Sequence, residues 1–276
     1  LGEPTPIADR IGRLTAERRY LPVFQENTAI DEVTIGRILV PLDGSDLAEE
    51  SLSVVRSMGK VFDAQIRLVC VSPDSQRRPL PGRKHTPSFA GAYDKEIYLR
   101  QKAEQLQSAG TAADFEILNG EVARAICGVA HSDSDDNIMS TNGRSGLQRL
   151  FIGSIALEVV QNTSTPLLLL RPTGNWRSRG TSFKRLLVAL DGSEFSERIL
   201  PFVTTLAKAF DSEILLLSVP VGSTSESYRA NIESYLEDLA GMLADQGLNV
   251  RTIVTGSAAA QTIVNTAGEE MADLIM

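Results

Sequence analysis

Leu39-Val40-Pro41-Leu42-Asp43-Gly44-Ser45 returns at Leu187-Val188-Ala189-Leu190-Asp191-Gly192-Ser193. A short apolar run that closes on Asp-Gly-Ser reads as a strand buried on both faces, ending in a turn. The same offset of 148 positions aligns Lys60-Val61-Phe62-Asp63-Ala64-Gln65-Ile66-Arg67-Leu68 with Lys208-Ala209-Phe210-Asp211-Ser212-Glu213-Ile214-Leu215-Leu216. Spacing is kept along with sequence, so the chain is a tandem repeat. Units of this length are whole domains, not solenoid modules.

Outward from the first copy, strands and helices alternate. Arg37 to Leu42 is the first strand, and Ser45 or Asp46 caps a helix whose Leu47, Ser51, Val54, Val55 and Met58 share one face. Ile66 to Val71 makes a second strand, followed by a loop at 72–93 rich in Pro, Gly and basic residues. Helices at 94–110, 122–130 and 154–162 and strands at 113–118, 137–139 and 166–171 complete the first repeat, with a turn at Asn119-Gly120. The second repeat supplies strands at 185–190, 214–219 and 250–254, helices at 196–210, 228–246 and 258–269, and a fourth strand at 273–276. This alternation predicts right-handed crossovers and an α/β fold of two tandem doubly wound open parallel-sheet domains. The expected organisation is an N-terminal extension at 1–35 with a helix around Arg10 to Arg19, domain 1 at 36–172, a linker at 173–182 and domain 2 at 183–276. Domain 2 reads as truncated after its fourth strand.

The bulk composition narrows the function. A chain of 276 residues has room for two domains, and 42% hydrophobic with 22% charged residues describes a soluble globular protein. No apolar run approaches the roughly 18 residues that suggest a membrane span. A net charge of −8 argues against a surface for nucleic-acid backbones, which needs gathered Lys and Arg. Cys70 and Cys127 stand at no metal-ligand spacing from each other or from His85 and His131, so buried thiols in a reducing cytoplasm are expected. No signal peptide is visible, which adds to the expectation of a cytoplasmic protein.

The chemistry concentrates in Met139-Ser140-Thr141-Asn142-Gly143-Arg144-Ser145-Gly146-Leu147-Gln148-Arg149-Leu150-Phe151-Ile152-Gly153-Ser154, between the fourth strand and the next helix. Gly153 lets backbone approach an anion, and the amides of Ser154 and Ile155, the Ser154 hydroxyl and the helix dipole favour one there. In open parallel sheets such ligands collect outside the carboxyl ends of the strands, where Asp43 also lies. Taken singly, each residue also reads as a plain turn or cap. No Walker lysine and no paired metal carboxylates accompany the loop, so ligand binding rather than dedicated catalysis is expected.

Together these segments resemble the universal stress protein family over residues 36–276, most closely at Leu39 to Ser45, at Gly120 and at Asn142 to Ser154. The resemblance implies an adenine nucleotide alpha hydrolase-like, Rossmann-like form of the fold. Nucleotide-binding members carry Gly, two residues, Gly, nine residues, then Gly-Ser or Gly-Thr. Here Gly143 takes the second glycine and Gly153-Ser154 the end, while Ser140 stands at the first glycine. By the same resemblance Asp43 contacts the ribose or adenine edge, and Pro41, Leu42 and Val71 border the adenine. Met139 and Ser140 enter the site from the fourth strand, and Gly143, Gly153, Ser154 and Ile155 serve the phosphates. The implied cofactor is ATP, with or without Mg, or else ADP or AMP, in one site in domain 1 of a stress-response regulator. The implied assembly is a pairing of the two domains within the chain, or a homodimer. The second repeat keeps Ala189, Asp191, Gly192, Ser193 and Val219, while its phosphate loop would start beyond Met276. Two alternatives stand beside this: a slow ATP hydrolase, and a dimerisation scaffold without nucleotide, which Ser140 would suit.

Overall fold

The computed structural model describes residues 30–72, 92–132, 137–142, 154–170, 183–220, 225–256 and 258–276. They fall into two compact bodies, one of residues 34–181 and the other of 182–276 joined by the stretch that leads up to Val33. The expected helix around Arg10 to Arg19 and the linker at 173–182 lie outside the described residues.

The first body runs β1 (Arg37–Pro41), α1 (Asp46–Glu49), α2 (Ser51–Phe62), β2 (Gln65–Ser72), α3 (Ala92–Ser108), β3 (Ala113–Asn119), α4 (Val122–Ser132), β4 (Asn137–Asn142), α5 (Ser154–Asn162) and β5 (Leu167–Leu170). The strands form one sheet in the order β3-β2-β1-β4-β5, and every neighbouring pair is parallel. The chain therefore works outward from β1 to β3 on one side, then crosses over to β4 and continues to β5 on the other. That reversal leaves a switch between β1 and β4, whose register sets Leu39 beside Met139.

Why β1 lies at the centre follows from its residues. Ile38 and Val40 have no exposed surface and Leu39 has 2%, so the strand is covered on both faces. Fully burying such a side chain contributes about 1.5–3 kcal/mol. On one face Leu39 and Val69 pack with Ala123 and Ile126 of α4 and Val159 of α5. Elsewhere the absence of a side chain on Gly59 sets the spacing: a Cβ there would meet Thr111 Cγ2 at 2.7 Å and Ile66 Cδ1 at 3.2 Å. Only glycine lets α2 come this close to β2.

The second body repeats the plan with β6 (Arg185–Ala189), α6 (Glu194–Glu197), α7 (Leu200–Phe210), β7 (Glu213–Ser218), α8 (Glu226–Ala244), β8 (Asn249–Val254), α9 (Ala259–Glu269) and β9 (Leu274–Ile275). Its parallel strands are ordered β8-β7-β6-β9. The residues just before the first repeat pack here and not on the first body. The Val33 amide donates to Thr205 Oγ1 at 2.9 Å, the same hydroxyl donates to the Val33 carbonyl at 3.2 Å, and Glu32 pairs with Lys208 at 2.7 Å.

Two details depart from the periodicity. A single helix is expected over 196–210, but the chain breaks it into α6 and α7. Pro201, in the first turn of α7, has no N–H to reach back to the preceding turn, so the helix restarts there. The first copy breaks at Glu50, where the Ser51 hydroxyl donates to the Ala48 carbonyl at 2.6 Å and competes with the helical bond. Among the described residues, no helix is long and apolar enough to cross a membrane.

Gly247 and Gly256 both adopt positive φ, 80° and 76°, but their surroundings differ. A Cβ on Gly247 would meet open space, whereas on Gly256 it would lie 2.2 Å from Thr262 Oγ1 and 2.9 Å from Thr262 Cβ. Gly247→Ala should cost about 1–2 kcal/mol from the left-handed backbone alone. Gly256→Ala should cost about 2–4 kcal/mol, because strain and overlap add. Urea titration of the second-domain transition checks the order, and equal costs would contradict it.

Candidate functional site

At the carboxyl end of β1 the chain leaves a sheet that covers it on both faces, and it does so within two residues. The Leu42 amide donates to the Val69 carbonyl at 2.8 Å, the last tie to β2. Asp43 Oδ1 then accepts the Ser45 amide at 2.9 Å and the Ser45 hydroxyl at 2.5 Å. Gly44 between them has φ 75°, a conformation that suits glycine. Ser45 Oγ caps α1 by accepting the Ala48 amide at 3.2 Å.

The second copy repeats this turn. Leu190 donates to the Leu217 carbonyl at 2.8 Å, Asp191 Oδ1 accepts the Ser193 amide at 2.9 Å, Gly192 has φ 74°, and Ser193 caps α6 through the Ser196 amide at 3.1 Å. Making this turn is enough to account for the recurrence of the aspartate. Burial alone would raise the Asp191 carboxyl. The hydroxyl and amide of Ser193, with the Ser196 hydroxyl, bond its charged form and hold it below the usual aspartate range.

Of the residues expected at the ligand, Pro41, Asp43 and Val71 are half-buried, and the Leu42 side chain is 3% exposed, inside the core. Val71 packs against the cluster that includes Leu39 and Val69. Met139 and Ser140 lie on β4, where their backbones pair with Leu167 and Leu168 of β5. β4 adjoins β1, so Asp43 and Ser140 belong to neighbouring strands that meet at the switch. Ser154 opens α5, and both Ser154 and Ile155 are exposed at its first turn. Gly143 and Gly153 lie outside the described residues.

The structure adds a polar cluster that helical periodicity passes over. Glu49 at the end of α1 pairs with Lys102 of α3 at 2.6 Å, and Lys102 stands 5.7 Å from the Tyr98 ring. Burial pushes the Tyr98 hydroxyl well above its ordinary value, and the charge of Glu49 adds to that. Lys95, one turn before Tyr98, donates from Nζ to the Val71 carbonyl at 3.0 Å and to the Ser72 hydroxyl at 2.9 Å. Cys70, buried on β2, is within electrostatic reach of Lys95 and Asp43. Burial raises its thiol, while Lys95 lowers it and Asp43 raises it further.

A signal for this cluster exists within the chain itself. Tyr98-Leu99-Arg100 aligns with Tyr235-Leu236-Glu237, and Gly110 with Gly247, which sets Lys95 opposite Ile232 and Lys102 opposite Leu239. Glu49 matches Glu197, whose carboxylate accepts the Tyr235 hydroxyl at 3.0 Å in the buried interior of the second body. Two cations of the first body thus occupy positions that the second fills with hydrocarbon.

Two parallel-sheet bodies, each with a capped Asp-Gly-Ser turn at the end of its central strand, define a tandem α/β protein of the Rossmann-like class. The universal stress protein family model matches residues 34–171 and 182–276, and the chain belongs to that family. Over 138 residues, 49% of this chain and 81% of the relative, it is 28% identical to a universal stress protein of Methanocaldococcus jannaschii. The solved structure of a universal stress protein from Archaeoglobus fulgidus matches with a TM-score of 0.68 at 19% identity, covering 87% of this chain and 85% of that one. That likeness extends the shared fold over both bodies. Another universal stress protein, 16% identical with a TM-score of 0.38 over 51% of this chain and 99% of its own, has been solved in complex with cAMP.

The depressed Asp191 carboxyl has a consequence for acid stability. A group whose folded pKa lies below its unfolded value stabilises the fold at neutral pH, and that contribution is lost as pH falls through the folded value. The second domain should therefore lose stability as pH drops from about 3.9, the ordinary aspartate value, toward the lower folded one. Asp191→Asn should lower stability at pH 7 and flatten this acid limb. Urea midpoints across a pH series measure both, and an unchanged acid slope would refute the assignment.

Proposed function

We propose that the first domain binds an adenine nucleotide, namely ATP with or without Mg, ADP or AMP. In this reading the protein acts in the cytoplasm as a stress-response regulator through occupancy of that site. The observation that supports it is the switch in strand order between β1 and β4, with Asp43 at the end of one strand and Ser140 on the other. Family membership supports it too, since a universal stress protein has been solved with an adenine nucleotide, cAMP.

In this reading the half-buried Pro41 and Val71 border the base together with the Leu42 backbone. Asp43 meets the ribose or the base edge. Met139, Ser140 and Gly143 lead into the phosphate loop, and Gly153 allows the close approach that ends it. Ser154 and Ile155 open α5, where the helix dipole favours an anion, and in this reading their amides face the phosphate oxygens. Ser140 stands where the motif has its first glycine. When bound, Mg would screen the phosphate charge. In this reading the chain's own work is to bind and orient the nucleotide.

Mass spectrometry of small molecules released from the purified protein, with isothermal titration of ATP, ADP and AMP, tests this directly. The expected result is an adenine nucleotide in the released fraction and binding that weakens at least about tenfold in Gly153→Val, a change of about 1.4 kcal/mol. No released nucleotide and no binding at about 1 mM would overturn the reading. Turnover of ATP that disappears in Gly153→Val would move it to a slow hydrolase.

A further inference from the structure

Lys95 is 9% exposed, near the start of α3, and its ammonium is held at the carboxyl end of β2 by the Val71 carbonyl and the Ser72 hydroxyl. An ammonium has three N–H donors, and these two neutral oxygens take two of them. Among the described residues no carboxylate pairs with it, and the neighbouring Glu49 is engaged by Lys102 at 2.6 Å. Asp43 follows β1, which runs parallel to β2, so it and Lys95 lie at the same end of the sheet.

A nearly buried cation without an opposite charge is costly, and neutral acceptors recover only part of that cost. Packing does not require it. At the aligned position the second body holds Ile232, 1% exposed, under the same kind of helix, and in place of Ser72 it has Pro220. The fold therefore accepts a hydrocarbon at this site and has no structural need for the charge.

We propose that Lys95 is a ligand-binding residue of the first domain, its third N–H donating to an anionic oxygen of the ligand. The ligand class is a phosphate-bearing one. Its identity as a nucleotide rests on the reading given above, whereas the need for an anion rests on Lys95 alone.

Calorimetric titration of the full chain with ATP, inorganic tripolyphosphate and adenosine tests this, comparing wild type with Lys95→Ile and Lys95→Arg. Lys95→Ile copies the second body, so it should fold, and its thermal unfolding verifies that. The expected result is that Lys95→Ile weakens ATP and tripolyphosphate by about 10- to 100-fold, the scale of a hydrogen bond to a charged group. Adenosine should bind equally to both proteins, and Lys95→Arg should keep most of the tripolyphosphate affinity. Equal ATP and tripolyphosphate binding by wild type and folded Lys95→Ile would overturn the proposal and leave Lys95 as a tie between α3 and β2. Equal loss for adenosine and ATP would also overturn it, because the contact would then be to the base or ribose. If wild type binds tripolyphosphate in a Lys95-dependent way but not ATP, the proposal stands and the nucleotide reading falls. Binding of neither would sink both.

Discussion

The molecule depends on how a strand buried on both faces is brought to an end. Its last backbone groups cannot turn to water, and the chain must leave the sheet and start a helix almost at once. Both bodies solve this with one aspartate oxygen that takes a serine amide at 2.9 Å, a glycine at φ 75° or 74°, and the same serine as helix cap. The return turns match as well. Asp63 and Asp211 both sit at φ 51°, followed by amides of Ala64 and Ser212 that close on Gly59 and Ala207 at 2.9 Å. A left-handed non-glycine residue costs about 1–2 kcal/mol, so packing of the flanking helix and strand must impose it in each body.

With the backbone shared, the two bodies separate in what they place between helix and sheet. Over β7 the second body puts Ile232, Tyr235, Leu236 and Leu239, all 1% exposed or less, and the buried carboxylate of Glu197 is met by the Tyr235 hydroxyl. Over β2 the first body keeps the tyrosine and the glutamate but adds Lys95, Lys102 and Cys70. A half-buried ion pair such as Glu49 with Lys102 gives little net stability over a well-packed apolar pair, because desolvation offsets much of its attraction. Stability alone therefore does not explain why the first body carries the polar version.

Much of this fold is legible in the sequence because it is written twice. A seven-residue match at a fixed offset locates both central strands, and alternation of apolar runs with helical faces supplies the doubly wound plan. What escapes is decided by single atoms. The breaks at Glu50 and Ile199 come from the Ser51 hydroxyl and from the missing N–H of Pro201, neither of which disturbs the apolar period. The attachment of Val33 to Thr205 joins residues 172 positions apart, beyond the reach of any local pattern. Lys95 was equally hidden. In a helix rich in Asp, Glu, Gln and Lys a lysine reads as solvated, and long cationic side chains can extend along apolar surface to a buried acceptor. Only alignment of α3 with α8 exposes it.

The aspartate common to both turns cannot by itself mark a ligand site, since its turn-making role is the same in each body and the Asp191 charge is already satisfied by Ser193 and Ser196. Charge balance around it does differ. In the second body Asp191 is held by Ser193 and Ser196, Glu197 is buried against Tyr235, and hydrocarbon fills the positions of the two lysines. In the first body Lys102 pairs with Glu49, and Lys95 is held by neutral oxygens at the end of β2. Two unit charges 4 Å apart interact by about 4 kcal/mol at an effective dielectric near 20, so exchanging two cations for two aliphatic side chains makes the two bodies electrostatically unequal. The repeat then supplies one frame twice, and the side chains over β2 and β7 give its two copies different charge.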